Sequence, residues 1–294
     1  MRTSSCVALG VLLGVAALGQ GCVLAIGGGG LEGRYIAGVP DVSQPPPNPL
    51  GFASVDNWSG PLAAASAIAF LSSTIGGWPR GVTGNLSPDA LSAYLGYFMA
   101  TNGRGSPDRL NATLGLPGTV VDDLVAGIRE FARWDPLHRF RTPPPPILNK
   151  AGFEAEVVLI EGSGLSPASY QAGLARGSPP LVVFRYWNPV DSGRALWLEA
   201  SGHRVHVRFY TWGPEVRSSA AGSLAGVPRE AWDPERRIGP VAVGEGFLVG
   251  DPDGPGPLPG ALWLVVRDTW AATAEHVAIP WGEVLALVLL GGAR

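Results

Sequence analysis

Glycine and proline recur so densely in this chain that no long uninterrupted helix can be written into it: 42 Gly and 28 Pro stand among 294 residues. Proline lacks the N–H a helix needs and clashes with the preceding turn, and glycine loses the most backbone entropy on folding. Long coiled coils and regular bundles are therefore excluded. Ten Trp, all from Trp58 onward, and 46% apolar against 15% charged residues nevertheless let the chain bury a sizeable core. The expectation is a packed, loop-rich globule, with one large domain behind a leader.

The formal net charge is −3, and the basic side is almost entirely Arg, with Lys150 the single lysine. No basic run tracks a phosphate backbone, so no nucleic-acid partner is expected. Arg2 precedes an apolar stretch from Val7 to Leu18, followed by Gly19, Gln20, Gly21 and Cys22. That stretch is shorter than the ~20 residues a membrane span needs, and residues 1–21 read as a secretory signal. The segment resembles bacterial lipoprotein precursors, although the usual leucine sits one place early, as Leu18. The resemblance implies acylation of Cys22, attachment to a membrane through an N-terminal lipid, and a place in the cell envelope. Cleavage after Ala25 is the alternative and would release a secreted protein. With Cys6 in the signal and Cys22 at its end, no cysteine is left in the folded body. Disulfides, a thiolate nucleophile and thiolate metal ligands are thereby excluded there.

Gly27 to Gly30 and Pro45, Pro46, Pro47 and Pro49 suggest a tether over 22–50, with the folded domain over 51–294. Helices are expected from Pro61 through Leu71, from Ser87–Pro88 to about Met99, from Thr119 with Asp122 to about Arg133, and from Ser166–Pro167 to Gly177. Strands are expected at Leu181 to Trp187, Ala195 to Glu199, His203 to Trp212, Gly246 to Gly250, Leu262 to Arg267 and His276 to Ile279. Val284 to Leu290 reads as a short apolar helix, and Trp187, Trp197 and Trp212 as core fillers. Helices first and strands second predict an α+β domain with an antiparallel sheet on a helical layer.

Six short motifs follow one another in a telling order. They are Val39, Pro40, Asp41, Val42, Ser43, Gln44; Ser59, Gly60, Pro61, Leu62, Ala63, Ala64, Ala65; Thr101, Asn102 with Gly118, Thr119, Asp122 and Gly127; Leu174, Gly177, Pro179; Gly202, His203; and Asp251, Pro252. In this order they resemble the bacteriocin-processing, family-39 branch of the papain-like cysteine peptidases, over roughly Val39 to Asp253. The resemblance implies a papain-like fold and a degenerate site of Ser59, His203, Asp251 and Gln44. Ser59 stands where the nucleophilic cysteine belongs. The interval from Gln44 to Ser59 and the insertion between His203 and Asp251 also depart from the pattern.

A helix N-terminus lowers a thiol's pKa and stabilises its thiolate, whereas a serine hydroxyl starts far too basic for that. Ser59 would need His203 as general base, Asp251 to orient the ring, and Gln44 with a backbone N–H to hold the oxyanion. A site shaped for sulfur sets oxygen too far from the imidazole. Structural roles stand beside these: Ser59 as an N-cap, His203 as a strand histidine, Asp251 as a turn residue. No metal or other cofactor is expected: His203 and His206 fall on opposite strand faces, and the Asp251–Asp253–Gly254 segment lacks a calcium loop's distal Glu. The leading functional expectation is a catalytically inactive peptidase-like protein that binds a peptide or protein in the former cleft. The alternatives are a Ser59-dependent hydrolase or acyltransferase, and a cell-envelope structural protein.

Overall fold

The computed structural model describes residues 22–26, 32–42, 57–74, 77–135, 147, 149–187, 190–200, 203–211, 230–250, 262–269 and 276–291. They form an α+β arrangement. The helices are α1 (Ser59–Ser73), α2 (Pro88–Phe98), α3 (Leu110–Leu114), α4 (Val121–Arg133) and α5 (Pro167–Ala175). The strands are β1 (Cys22–Ile26), β2 (Glu32–Ile36), β3 (Glu156–Glu161), β4 (Leu181–Phe184), β5 (Tyr186–Trp187), β6 (Val190–Ala200), β7 (His203–Thr211), β8 (Glu230–Ala231), β9 (Val241–Val249), β10 (Leu262–Arg267), β11 (His276–Pro280) and β12 (Val284–Gly291).

Local chemistry sets two of the helix starts. Ser87 Oγ accepts from the Ala90 N–H at 3.2 Å and Ser166 Oγ from the Ser169 N–H at 3.2 Å, each with proline at the next position. On α4, Leu124, Ile128, Phe131 and Ala132 are buried, while Asp122, Arg129, Glu130 and Arg133 lie at or near the surface. That helix does not begin with the capping box expected at Thr119 and Asp122. Val120 is its N-cap, and no side chain caps it. Asp123 instead turns to α3, its two carboxylate oxygens accepting from the N–H groups of Leu110 and Asn111 at 3.0 and 2.7 Å.

The large sheet runs β3-β12-β4-β9-β10-β11-β7-β6, and the β1–β2 hairpin joins it through β2 on β9; β5 and β8 pair separately. It is mixed where an antiparallel sheet was expected, because β11 and β7 run parallel while every other pair is antiparallel. One face meets the helices in the main core, with Leu264, Val266, Val277 and Ile279 packed toward α1 and its neighbours. The sheet then curls until β1 lies against β6. Inside the curl a second cluster forms from Tyr35, Leu198, Val207, Phe209, Leu248, Val265 and Ala278.

Three expectations change here. Val284–Gly291 is a strand in place of a helix, seated between β3 and β4. An apolar run of that length carries no period, and two open strand edges decide its state. The stretch 22–50, read as a tether, supplies β1 and β2, and Val39 and Val42 beyond them are buried. Gly33 fits because β9 passes so close that a Cβ there would stand 2.1 Å from the Phe247 carbonyl oxygen. Trp197, read as a core filler, is exposed; Trp212 and the side chain of Trp187 lie outside what is described.

Candidate functional site

Ser59 is the first residue of α1, after Trp58 at the N-cap, and is 4% exposed. It does not cap its own helix. Its Oγ accepts from the backbone N–H of Val241, the first residue of β9, at 3.2 Å. The hydroxyl thus ties the helix N-terminus to the sheet. The residues leading into β9, Gly239 and Pro240, are buried and carry no titratable group.

Two of the six motif segments meet at this end of α1. A Cβ on Gly60 would stand 3.1 Å from both Cβ and Oγ1 of Thr119, so glycine lets the helix approach that side chain. Thr119 Oγ1 shares a hydrogen bond of 2.7 Å with Thr101 Oγ1. Asn102 Oδ1 accepts from the Gly118 N–H at 2.7 Å, and its own N–H donates to the Gly118 carbonyl at 2.9 Å. Asn111, fully buried, locks the same loop: its Nδ2 donates to the carbonyls of Ala100, Leu116 and Gly118, and its Oδ1 accepts from the Leu116 N–H.

The other motif residues described do structural work as well. Asp122 and Glu161 both bind Arg237, at 3.1 and 2.8 Å, and the Val121 N–H donates to the Arg237 carbonyl. Those bonds raise the Arg237 guanidinium above its ordinary value, Glu161 contributing most. Gly177 turns the chain after α5 at φ +72°, its N–H donating to the Leu174 carbonyl, and Pro179 follows into β4.

Gln44, Asp251 and Pro252 lie outside the described residues, and His203 is described by its backbone alone. That backbone opens β7. From β9, where Ser59 is bound, the sheet steps through β10 and β11 to β7, three strand spacings or about 14 Å along the sheet. His203 also lies four residues before Val207, the partner of His276 in the register. Ser59 is brought together with Val241, the neighbouring Gly60 with Thr119, and the backbone of His203 sits three strands across.

A second polar cluster escaped the sequence reading. Between Val265 and Val266 the β9–β10 register shifts, so Glu245 is an extra residue on β9. Such a bulge re-aims a side chain. Glu245 is fully buried, accepts from Arg267 Nε at 2.8 Å and pairs with His276 Nδ1 at 2.8 Å, with the Tyr35 hydroxyl 3.5 Å away. Arg267 and His276 are themselves 5% and 3% exposed. On the other side of the sheet the Tyr170 hydroxyl donates to the Gly246 carbonyl at 2.8 Å. Burial, and then the charge of Glu245, push the Tyr170 phenol well above its ordinary value. A glutamate between two glycines inside an apolar strand was the available signal.

A groove of about 530 Å³ runs between α5 and strands β2 and β9, lined by Arg34, Gln171, Ala172, Phe247 and Val249 among others. It opens at the far end of β9 from Ser59. Among the described residues, no helix is long and apolar enough to cross a membrane, and no three His, Cys, Asp or Glu side chains are grouped to hold a metal ion. Comparison with protein-family models, with curated proteins and with solved structures gives no match.

Proposed function

We propose that this chain is a papain-like, peptidase-like module without peptidase activity, held in the cell envelope by a lipid on Cys22 and binding a peptide or protein segment at the former cleft. The observation that carries the non-catalytic half is the state of Ser59. A nucleophilic hydroxyl must be open to substrate, with a lone pair free to attack. The Ser59 side chain is buried, and a lone pair of its oxygen is engaged by the Val241 N–H. The binding half rests on the order of the motifs, two of which converge at the N-terminus of α1. The anchor rests on the lipoprotein-like leader, and the papain-like assignment on a helical layer packed against a curled sheet.

Fluorophosphonate labelling of the natural chain tests the first half, and an array of extended peptides the second. No labelling and selective capture of a peptide subset are expected. Labelling abolished by Ser59→Ala would move the protein to the serine hydrolases, and a blank array would leave it a structural component of the envelope.

A further inference from the structure

We propose that the outward face of the β6–β7 hairpin is a membrane-contact face that rests on an anionic lipid surface, a reading that builds on the lipid-anchored placement above. On β7 the residues alternate strictly. Val205, Val207 and Phe209 pack with the second cluster, and Arg204, His206 and Arg208 take the positions between them. Trp197, opposite His206 in the β6–β7 register, is 52% exposed, the most exposed large apolar side chain among the described residues. The His206 ring lies 4.6 Å from it between centroids, and the Arg204 guanidinium carbon 4.5 Å above its ring. Those two contacts still leave half of the indole in water. An indole beside a guanidinium suits the headgroup layer, where the ring meets the acyl boundary and the arginine meets phosphate.

Two observations favour lipid over other anionic partners. Between Ala195 and Arg208 the hairpin carries two arginines and two histidines against one acid, Glu199, which stands opposite Arg204 in register. The chain as a whole carries −3, so this hairpin runs against the overall charge. In addition, β1 lies against β6, and its first residue is Cys22. An anchor at that residue would enter beside the hairpin and hold it at a high effective concentration against the bilayer, so that a weak surface attraction suffices.

The test uses the full chain with Cys22→Ser, which cannot be acylated, floated with vesicles of phosphatidylglycerol and phosphatidylcholine or of phosphatidylcholine alone. Partition onto the anionic vesicles is expected to exceed that onto the neutral ones and to fall as salt is raised. Adding Arg204→Ala and Arg208→Ala is expected to lower anionic partition about 25-fold, roughly fivefold per arginine. Trp197→Ala lowers it further, and Arg204→Lys with Arg208→Lys keeps it. The leader is common to all variants and cancels in the comparison. If the alanine pair melts early, Arg204→Gln with Arg208→Gln gives the same comparison on a folded chain. Equal partition with and without the arginines overturns the proposal. So does binding to a poly-glutamate resin through the same arginines without preference for anionic vesicles, which would assign the stripe to an acidic protein. Acylation of Cys22 is read separately, by the mass of the natural chain, so the anchor and the contact face can fail independently.

Discussion

The backbone N–H of Val241 donates to Ser59 Oγ at 3.2 Å, joining the first residue of α1 to the first residue of β9 across 182 positions of sequence. One hydroxyl thereby fixes where the helical layer meets the sheet. Ser59→Ala removes the acceptor in a buried setting and is expected to lower unfolding stability by about 1–3 kcal/mol in urea titration. Ser59→Cys is expected to react slowly with iodoacetamide until the protein unfolds. Fast reaction of the native variant near neutral pH would mean an open site and an activated thiolate.

Glu245 faces two cationic or hydrogen-bonding partners inside the curled sheet. Replacing it with glutamine leaves Arg267 and His276 buried without their carboxylate, and removing one partner of such a cluster costs about 3–5 kcal/mol. Chemical denaturation of Glu245→Gln is expected to show a loss of that size. A neutral result would mean the cluster is wet or open.

Tyr170 sets an alkaline limit. Its folded pKa is raised by burial and by Glu245, so the folded state holds the phenol proton more tightly than the unfolded state. The resulting stability is complete below the ordinary tyrosine value of 10.0 and is lost as pH rises from there toward the folded pKa, by about 1.4 kcal/mol per pH unit. Urea midpoints measured between pH 9 and 11 should fall accordingly, with a flatter decline in Tyr170→Phe.

Gly127 lets α4 approach the end of α2. A Cβ there would stand 2.9 Å from the Met99 backbone nitrogen and 2.9 Å from the Phe98 carbonyl carbon, neither of which can swing aside. Gly127→Ala is expected to destabilise by about 1–3 kcal/mol, as overpacking does. Gly282→Ala, where a Cβ meets nothing within 4 Å, should leave the melting temperature unchanged and serves as the control.

Sequence chemistry was most readable where one residue governs its own neighbourhood. Ser87–Pro88 and Ser166–Pro167 announce helix starts because cap and proline act within a single turn. The bounds of β10 and the start of β11 followed from β-branched and aromatic residues. What distant partners decide could not be read. Val284–Gly291 is a strand because β3 and β4 flank it. Tyr35 and Ile36 pair with β9 and β1 although the glycines and prolines around them resemble a spacer. Ser59 serves a sheet N–H where proximity suggested its own helix. At the site, the motif order brought Gly60, Thr101, Asn102, Gly118 and Thr119 to attention, and these do converge. The bulge that turns Glu245 inward arises from a register shift that no local pattern encodes.

β12 is synthesised after every other described strand, yet it sits between β3 and β4, with Val284 opposite Phe184. Until it emerges, β4 presents a bare edge and β3 has no strand to pair with in the sheet. A ribosome-bound chain therefore cannot complete its fold, because pairing so distant in sequence waits for the last segment. Late closure makes β3 the last strand to be fixed, so a chain stopped before β12 would carry that strand unpaired.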